Sequence, residues 1–158
     1  MNRISALAII VLALWLLISV VTIFTATDPN RIDLAYAFAP PSIGQVMGYD
    51  ELGRSVLARV ISGAKISFGV GFVVVGLASI LGTAIGLYSG WKGGVIDLIT
   101  ARLIDIFLAF PGILLAIALA GILGPGLDNV IVALAAVGWV GFARLARAQT
   151  LSLKQYDH

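Results

Sequence analysis

The side chains in this sequence that could do chemistry are few, and they do not form a catalytic set. The chain has one histidine, His158, and no cysteine, which excludes disulfides, thiolate catalysis and cysteine metal sites. The patterns GxSxG, HExxH and GxxxxGKS/T, which mark a nucleophile, a zinc site and a phosphate loop, do not occur. We therefore expect no enzyme active site, no bound metal and no cofactor on this chain.

One charged pair lies close to apolar sequence and remains a candidate for function. Arg102 precedes Asp105 by three residues, which is close enough on a helix for an ion pair. A carboxylate at the centre of a bilayer costs about 2.5–3.5 kcal/mol, so an acid near a membrane span needs a reason. Three interpretations stay open: an interfacial pair that anchors the helix, a part in a subunit contact or gate, and a proton relay.

The elements that position these residues are long uncharged stretches, Ile4–Phe24, Ile66–Trp91 and Ile106–Leu123, of 21, 26 and 18 residues. About 20 apolar helical residues cross a bilayer, and backbone groups in hydrocarbon must be paired within the segment. The continuous apolarity, without alternation, is typical of helices rather than of a barrel. The sequence therefore predicts an all-α integral membrane protein.

A fourth crossing is predicted over residues 129–148, where the aliphatic stems of Arg144 and Arg147 extend a short apolar run. A re-entrant or interfacial helix is the alternative.

The first uncharged stretch, Ile4–Phe24, is longer than the apolar region of a signal peptide and precedes no clear cleavage site, so we expect an uncleaved helix. The four predicted membrane helices are residues 4–24, 66–91, 98–123 and 129–148, with an outer segment at 25–65.

Charge supports the class and sets the orientation. Sixty per cent of residues are hydrophobic and 11% are charged, whereas an average soluble domain has about 25% charged residues. No basic run or face marks a nucleic-acid partner. With a cytoplasmic N-terminus, the inner segments hold six basic residues, and the outer segment holds four against four acids. The positive-inside rule therefore favours an N-terminus in the cytoplasm.

The outer segment, residues 25–65, divides into two parts. Prolines in its first half predict an extended loop. From Asp50 onward, apolar residues recur at helical spacing and predict an amphipathic helix on the outer face, with Asp50 accepting a backbone N–H as its cap. Gly63 would permit a bend into the second crossing.

Two patterns within the crossings bear on packing and on a path. Small residues recur every fourth position in the second crossing: Ala78, Gly82, Gly86 and Gly90. This small-residue stripe lets another backbone approach closely, either from the same chain or from another subunit.

In the third crossing Pro111 predicts a kink near Phe107–Pro111, because proline removes a backbone hydrogen bond. Such a kinked helix can line a transport path or lie in a passive bundle.

Three ordered blocks resemble one family of transport proteins. Residues 48–67, GYDELGRSVLARVISGAKIS, resemble G-T-D-x-x-G-R-D-x-x-S-R followed by G-x-R/K-x-S. Residues 102–112, RLIDIFLAFPG, resemble R-x-x-D-x-x-L-A-F-P, and residues 138–147, GWVGFARLAR, resemble W-x-x-x-A-R-x-x-R. These are blocks of the DppC/OppC-like inner-membrane permease subunits of binding-protein-dependent ABC importers for dipeptides, oligopeptides and nickel. The departures are Tyr49, Ser55 and Ala58, where that family often has Thr, Asp and Ser.

The resemblance implies a six-helix permease subunit in a bacterial or archaeal cytoplasmic membrane. It would pair with a second permease, receive substrate from a periplasmic or lipid-anchored binding protein, and be driven by ATP used by cytoplasmic ATPase subunits. It also implies a structural role on the outer face for the family-motif residues, and a place in the path or gate for three residues of the second block. The motif residues are Asp50, Gly53, Arg54 and Arg59, and the path or gate residues are Asp105, Phe110 and Pro111.

The length departs from that family, whose members are roughly twice as long. They continue past the equivalent of Lys154 into a cytoplasmic loop that contacts the ATPase, followed by two more crossings. We therefore expect the chain to correspond to the N-terminal part of a permease, with four of six helices and without its main ATPase contact. The alternative is a non-transporting remnant or an interaction scaffold that packs on a partner through the small-residue stripe.

Overall fold

The structure, a computed structural model, describes residues 7, 9–14, 16–17 and 28–156. It divides into two compact units, Met1–Val70 and Gly71–His158, and each is described by itself. The described residues of the first predicted crossing, 4–24, are helical. The remainder of that crossing lies outside the described residues.

The first unit contains residues 28–55, which are irregular apart from a 3-10 helix at Leu34–Tyr36, followed by the first turns of helix α1, Val56–Lys92. The predicted separate surface helix from residue 50 differs from what is observed. The chain becomes helical only at Val56 and continues through Gly63 without a break. One helix can contain both the amphipathic stretch and the uncharged stretch that follows it, because a single glycine within a helix costs only about 1 kcal/mol.

The second unit contains the rest of α1, then α2 (Gly94–Leu108), α3 (Gly112–Leu123) and α4 (Leu127–Tyr156). Helix α1 ends where Gly93 and Gly94 adopt φ of 70° and 58°, a left-handed conformation that glycine adopts without steric cost. After α3, the Asn129 side-chain amide donates to the carbonyl oxygens of Leu123 and Gly124 at 2.9 and 3.2 Å. These bonds satisfy acceptors that the end of a helix leaves unpaired.

The third predicted crossing, residues 98–123, is two helices rather than one kinked helix. Helix α2 ends at Leu108, α3 begins at Gly112, and the two differ in direction by 87°. Pro111 has no N–H to continue α2, and it disfavours helical backbone at the residue before it. The proline therefore ends one helix and starts the next, with its carbonyl accepting from Leu115 N–H at 3.1 Å.

The described residues confirm the all-α class: they contain helices and two isolated β-bridges, with no strand. Among them α1 and the Leu127–Lys154 part of α4 are each long and apolar enough to cross a membrane, and α2 and α3 qualify only as one bent pair. Helix α4 contains the predicted crossing 129–148 and extends beyond both its ends.

Packing in the second unit is centred on α4. Ile104 of α2 and Val140 and Ala143 of α4 form a buried cluster, against which Phe107 and Trp139 pack. Many large apolar side chains elsewhere are exposed, such as Ile113 at 77% and Ile122 at 81%. Surfaces of this kind are suited to lipid or to further protein, and they agree with a membrane-embedded chain.

Candidate functional site

Asp50 is the centre of the family-motif residues in the first unit. Its Oδ1 accepts hydrogen bonds from the backbone N–H groups of Leu52 and Arg54 at 2.9 and 3.0 Å. Its Oδ2 accepts from Arg54 Nε at 2.8 Å and from Arg59 Nη1 at 2.6 Å. One carboxylate thus fixes the turn that precedes α1 and ties it to the first turn of that helix. We call Asp50, Gly53, Arg54 and Arg59 the Asp50 cluster.

Gly53 lets this turn close against the rest of the segment. Its φ is +68°, and a Cβ at this position would collide with the carbonyl oxygen of Asp33. Two backbone hydrogen bonds stabilise this close contact between Gly53 and Asp33. The Asp33 N–H donates to the Leu52 carbonyl at 3.2 Å, and the Gly53 N–H donates to the Asp50 carbonyl at 3.0 Å. Both the conformation and the close backbone contact require glycine.

The predicted role of Asp50 as a helix cap differs from the observed one, because Ser55 caps α1. The Ser55 hydroxyl accepts from the Ala58 N–H at 3.3 Å and donates to Gln45 Oε1 at 2.8 Å. Ser55 therefore occupies the N-cap position three residues before that donor. Asp50 lies five residues earlier and caps the turn rather than the helix.

The electrostatics of Asp50 favour its charged form. Partial burial acts to raise the pKa of this carboxyl, but hydrogen bonds from the backbone and side chain of Arg54 and from the Leu52 N–H outweigh it. Together with the positive charge of Arg54, they lower the pKa from 3.8 to about 2. Since the folded pKa is depressed, the stabilisation is present above the ordinary pKa and is lost as the pH falls through the folded value.

We therefore expect the Asp50 contacts to persist below pH 3.8 and to be lost near pH 2. The chemical shifts of the Leu52 and Arg54 amide protons in a detergent-solubilised sample would report this titration. Arg54→Gln removes the neighbouring charge and should move the midpoint upward. A midpoint at or above 3.8 in the unmodified chain would contradict the assignment.

A polar cleft of about 350 Å³ lies in the same unit, and sequence reasoning did not find it. One of its walls is made by Tyr36 and Tyr49, whose rings stack with centroids 5.1 Å apart. Arg31, Asp33 and Gln45 contribute polar groups. The stack joins two stretches of an otherwise irregular segment, and such aromatic pairs contribute about 0.5–1.5 kcal/mol beyond their burial.

In the second unit the small-residue stripe packs against α4 of the same chain. A Cβ on Gly82 would collide with the Trp139 carbonyl oxygen, and one on Gly86 would collide with that of Ala143. Ala78 is 2% exposed and lies against Gly138. Of the two partners that the sequence left open, the structure places α4 on this stripe.

The candidate path or gate residues lie at and before the break between α2 and α3. Phe110 is 59% exposed, and Asp105 and Pro111 are also exposed. Within residues 28–156, Asp105 has no ion pair with Arg102, so the anchoring pair, one of the three interpretations left open, is not observed. Arg147 instead binds Asp97, fifty residues away, through two hydrogen bonds. No local spacing in the sequence signals that pair.

Comparison with known proteins gives one consistent family. Residues 82–158 match the family described as "Binding-protein-dependent transport system inner membrane component". The chain is 41% identical over 150 residues to the probable D,D-dipeptide transport system permease protein DdpC of Escherichia coli (strain K12), covering 94% of this chain and 50% of that protein.

Two further relatives are similar over nearly the whole chain. The dipeptide transport system permease protein DppC of Alkalihalophilus pseudofirmus is 37% identical, with 99% of this chain and 52% of the relative covered. The nickel transport system permease protein NikC of Escherichia coli (strain K12) is 36% identical, with 96% and 55% covered. The chain spans about half the length of these relatives, and it belongs to the DppC/OppC-like permease family of binding-protein-dependent transport systems.

Proposed function

We propose that the chain is part of the permease subunit of an ABC importer, and that the complete subunit forms part of a membrane path for dipeptides, oligopeptides or nickel. The observation that carries this proposal is the similarity to permeases over 94–99% of the chain. The helices that could cross a membrane, in a chain with no nucleotide-binding loop pattern, support it. A permease of this kind is a transport component rather than an enzyme.

The proposed partners follow from that role. A second permease would complete the path, ATPase subunits in the cytoplasm would use ATP to drive it, and a binding protein would deliver the substrate. The positive-inside count favours a cytoplasmic N-terminus, which would put residues 28–55 on the outer side. The path would then open alternately to the two sides as the subunits move.

The scaffold alternative is supported less well. It required the small-residue stripe to be free for a partner. In the second unit Gly82 and Gly86 instead meet the backbone of α4, leaving no room for another helix. A scaffold would therefore need a different surface.

The proposal is tested by uptake in cells. The complete subunit that contains this sequence, expressed with its partner subunits, should restore uptake of a labelled dipeptide, a labelled oligopeptide or nickel in a host that lacks such importers. Uptake of none of these three substrates, despite normal amounts of all subunits in the membrane, would contradict the proposal.

Within that assay Arg54→Ala should lower assembly or uptake several-fold, because it removes both the Nε contact and the positive charge beside Asp50. Glu51→Gln is the matched control: it removes a charge from the same turn, and Glu51 makes no side-chain hydrogen bond or ion pair within residues 28–156. Normal uptake by Arg54→Ala at normal expression would exclude an essential role for this arginine.

A further inference from the structure

Helix α4 is attached at its C-terminal end to the corner between α1 and α2. Arg147 binds Asp97 in a two-point contact, in which Nη2 lies 2.7 Å from Oδ2 and Nε donates to Oδ1. Lys154 Nζ donates to the carbonyl oxygen of Trp91 at 2.6 Å. We call Asp97, Arg147 and Lys154, with the Trp91 carbonyl, the corner clamp. It joins three helix ends within the second unit.

The residues of α4 that make this attachment share one face. Arg147, Thr150 and Lys154 are three and four positions apart, a spacing that aligns side chains along a helix. Between the two cations Thr150 lies against Gly90, where a Cβ would be 2.9 Å from the Thr150 Cβ. Gly90 therefore allows α4 to come close enough for both cations to reach the corner.

The charges of Asp97 and Lys154 also lie at helix ends whose dipoles favour them. Asp97 is in the first turn of α2, and the Lys154 ammonium contacts a carbonyl in the last turn of α1. An acid at a helix N-terminus and a cation at a helix C-terminus both interact favourably with the helix dipole. The side chains of Arg147 and Asp97 are only 26% and 18% exposed, so solvent screens this pair less than it screens a surface pair.

The ion pair is the second of two separate attachments between α2 and α4. The first is the apolar cluster of Ile104 with Val140, which Phe107 and Trp139 extend with ring centroids 5.6 Å apart. Asp97 precedes Ile104 by seven residues, and Arg147 follows Val140 by seven, so the two attachments are about 10 Å apart along the antiparallel helices. One attachment permits rotation about itself, whereas two fix the angle between the helices.

From this geometry we propose that Asp97 and Arg147 are positioning residues that, with Lys154, fix the direction of the last turns of α4 relative to the α1–α2 corner. The apolar cluster holds the helices together, and the corner clamp sets how they are oriented. The last turns of α4 and the corner therefore behave as one rigid body. This inference does not depend on what the complete protein transports.

The chain is well suited to a direct test, because it has no cysteine that would be labelled in the background. Spin labels on Val95→Cys and Leu153→Cys, at side chains 70% and 66% exposed, would report the distance between the corner and the end of α4 by pulsed electron resonance in nanodiscs. We expect a narrow distance distribution. The Asp97→Asn/Arg147→Met double variant should widen it by about twofold, because the two-point contact is lost.

The double variant separates positioning from folding. It leaves no unpaired charge, so it avoids the penalty that a single neutralised partner would incur. Arg147→Lys keeps both charges but loses the planar two-point geometry, and we expect an intermediate width. Asp97→Glu keeps the carboxylate and should remain narrow. Arg144→Gln is the matched control, because this exposed arginine one turn earlier has no ion pair within residues 28–156.

The proposal is overturned if the distribution stays as narrow as that of the parent in both the double variant and Arg147→Lys. In that case the apolar cluster and the packing of α4 on the small-residue stripe of α1 would set the orientation of α4 without the clamp. Widening in Arg144→Gln to the same extent would also overturn it, because the effect would then follow loss of any cation on α4 rather than loss of the clamp.

Discussion

Gly86→Ala is expected to lower the free energy of unfolding of the chain by about 1–3 kcal/mol, the usual cost of extra volume in a packed interior. The added methyl group would collide with the Ala143 carbonyl oxygen and would lie 2.9 Å from the Ala146 Cβ. Neither obstacle is the flexible end of a side chain, so α1 and α4 would have to move apart. Close packing is the main attraction between helices in lipid, where water no longer drives their association.

Gly76→Ala provides the matched control for this prediction. Gly76 lies on α1 ten residues before Gly86, and a Cβ there would have no neighbour within 4 Å. Alanine is the better helix former, so we expect stability to be unchanged or slightly raised. Titration of each detergent-solubilised variant with dodecyl sulfate, followed by circular dichroism, measures its free energy of unfolding. Equal stability of the two variants would mean that α4 does not pack on Gly86 as closely as the structure shows.

The small-residue stripe shows what could be predicted from sequence. Its spacing identified a surface for close approach, because helical periodicity alone puts Ala78, Gly82, Gly86 and Gly90 in line. The partner could not be predicted, since a smooth stripe fits any helix. That partner depends on the short connections around α2 and α3, which return the chain so that α4 lies against α1.

The break at Pro111 shows where local rules are incomplete. Proline predicted a disturbance in the right place, but its lost hydrogen bond is compatible with both a modest kink and a full change of direction. The 87° angle follows from how α3 and α2 each pack on α4. The Asp97–Arg147 pair was missed for a related reason: two charges fifty residues apart have no recognisable spacing until the helices between them are placed.

The Asp50 cluster was identified as a set through its resemblance to a family block, and its contacts became clear from the structure. Sequence spacing predicted that Asp50 would accept a backbone N–H, which it does, from Leu52 and Arg54. The start of the helix was misplaced because the apolar pattern begins at Leu52. The Ser55 hydroxyl, which caps Ala58, marks the true start.

Gly53→Ala is expected to disrupt this segment more severely than loss of either arginine. A side chain at φ +68° is strained on its own account. The Cβ would also collide with the backbone of Asp33, whose carbonyl oxygen and carbon would both lie no more than 2.5 Å from it. The turn would have to open, which would separate the Leu52 carbonyl from the Asp33 N–H. Asp50 would then lose the geometry that lets one carboxylate bind Leu52, Arg54 and Arg59.

Hydrogen exchange of the detergent-solubilised chain would measure this opening peptide by peptide. We expect faster exchange across residues 33–54 in Gly53→Ala, with little change in α3 and α4, because the collision is confined to the first unit. Gly44→Ala is the control: Gly44 is exposed in the same segment, and a Cβ there would have no neighbour within 4 Å. Unchanged exchange in Gly53→Ala would show that the turn tolerates a side chain, and that the Asp50 contacts do not depend on the close approach to Asp33.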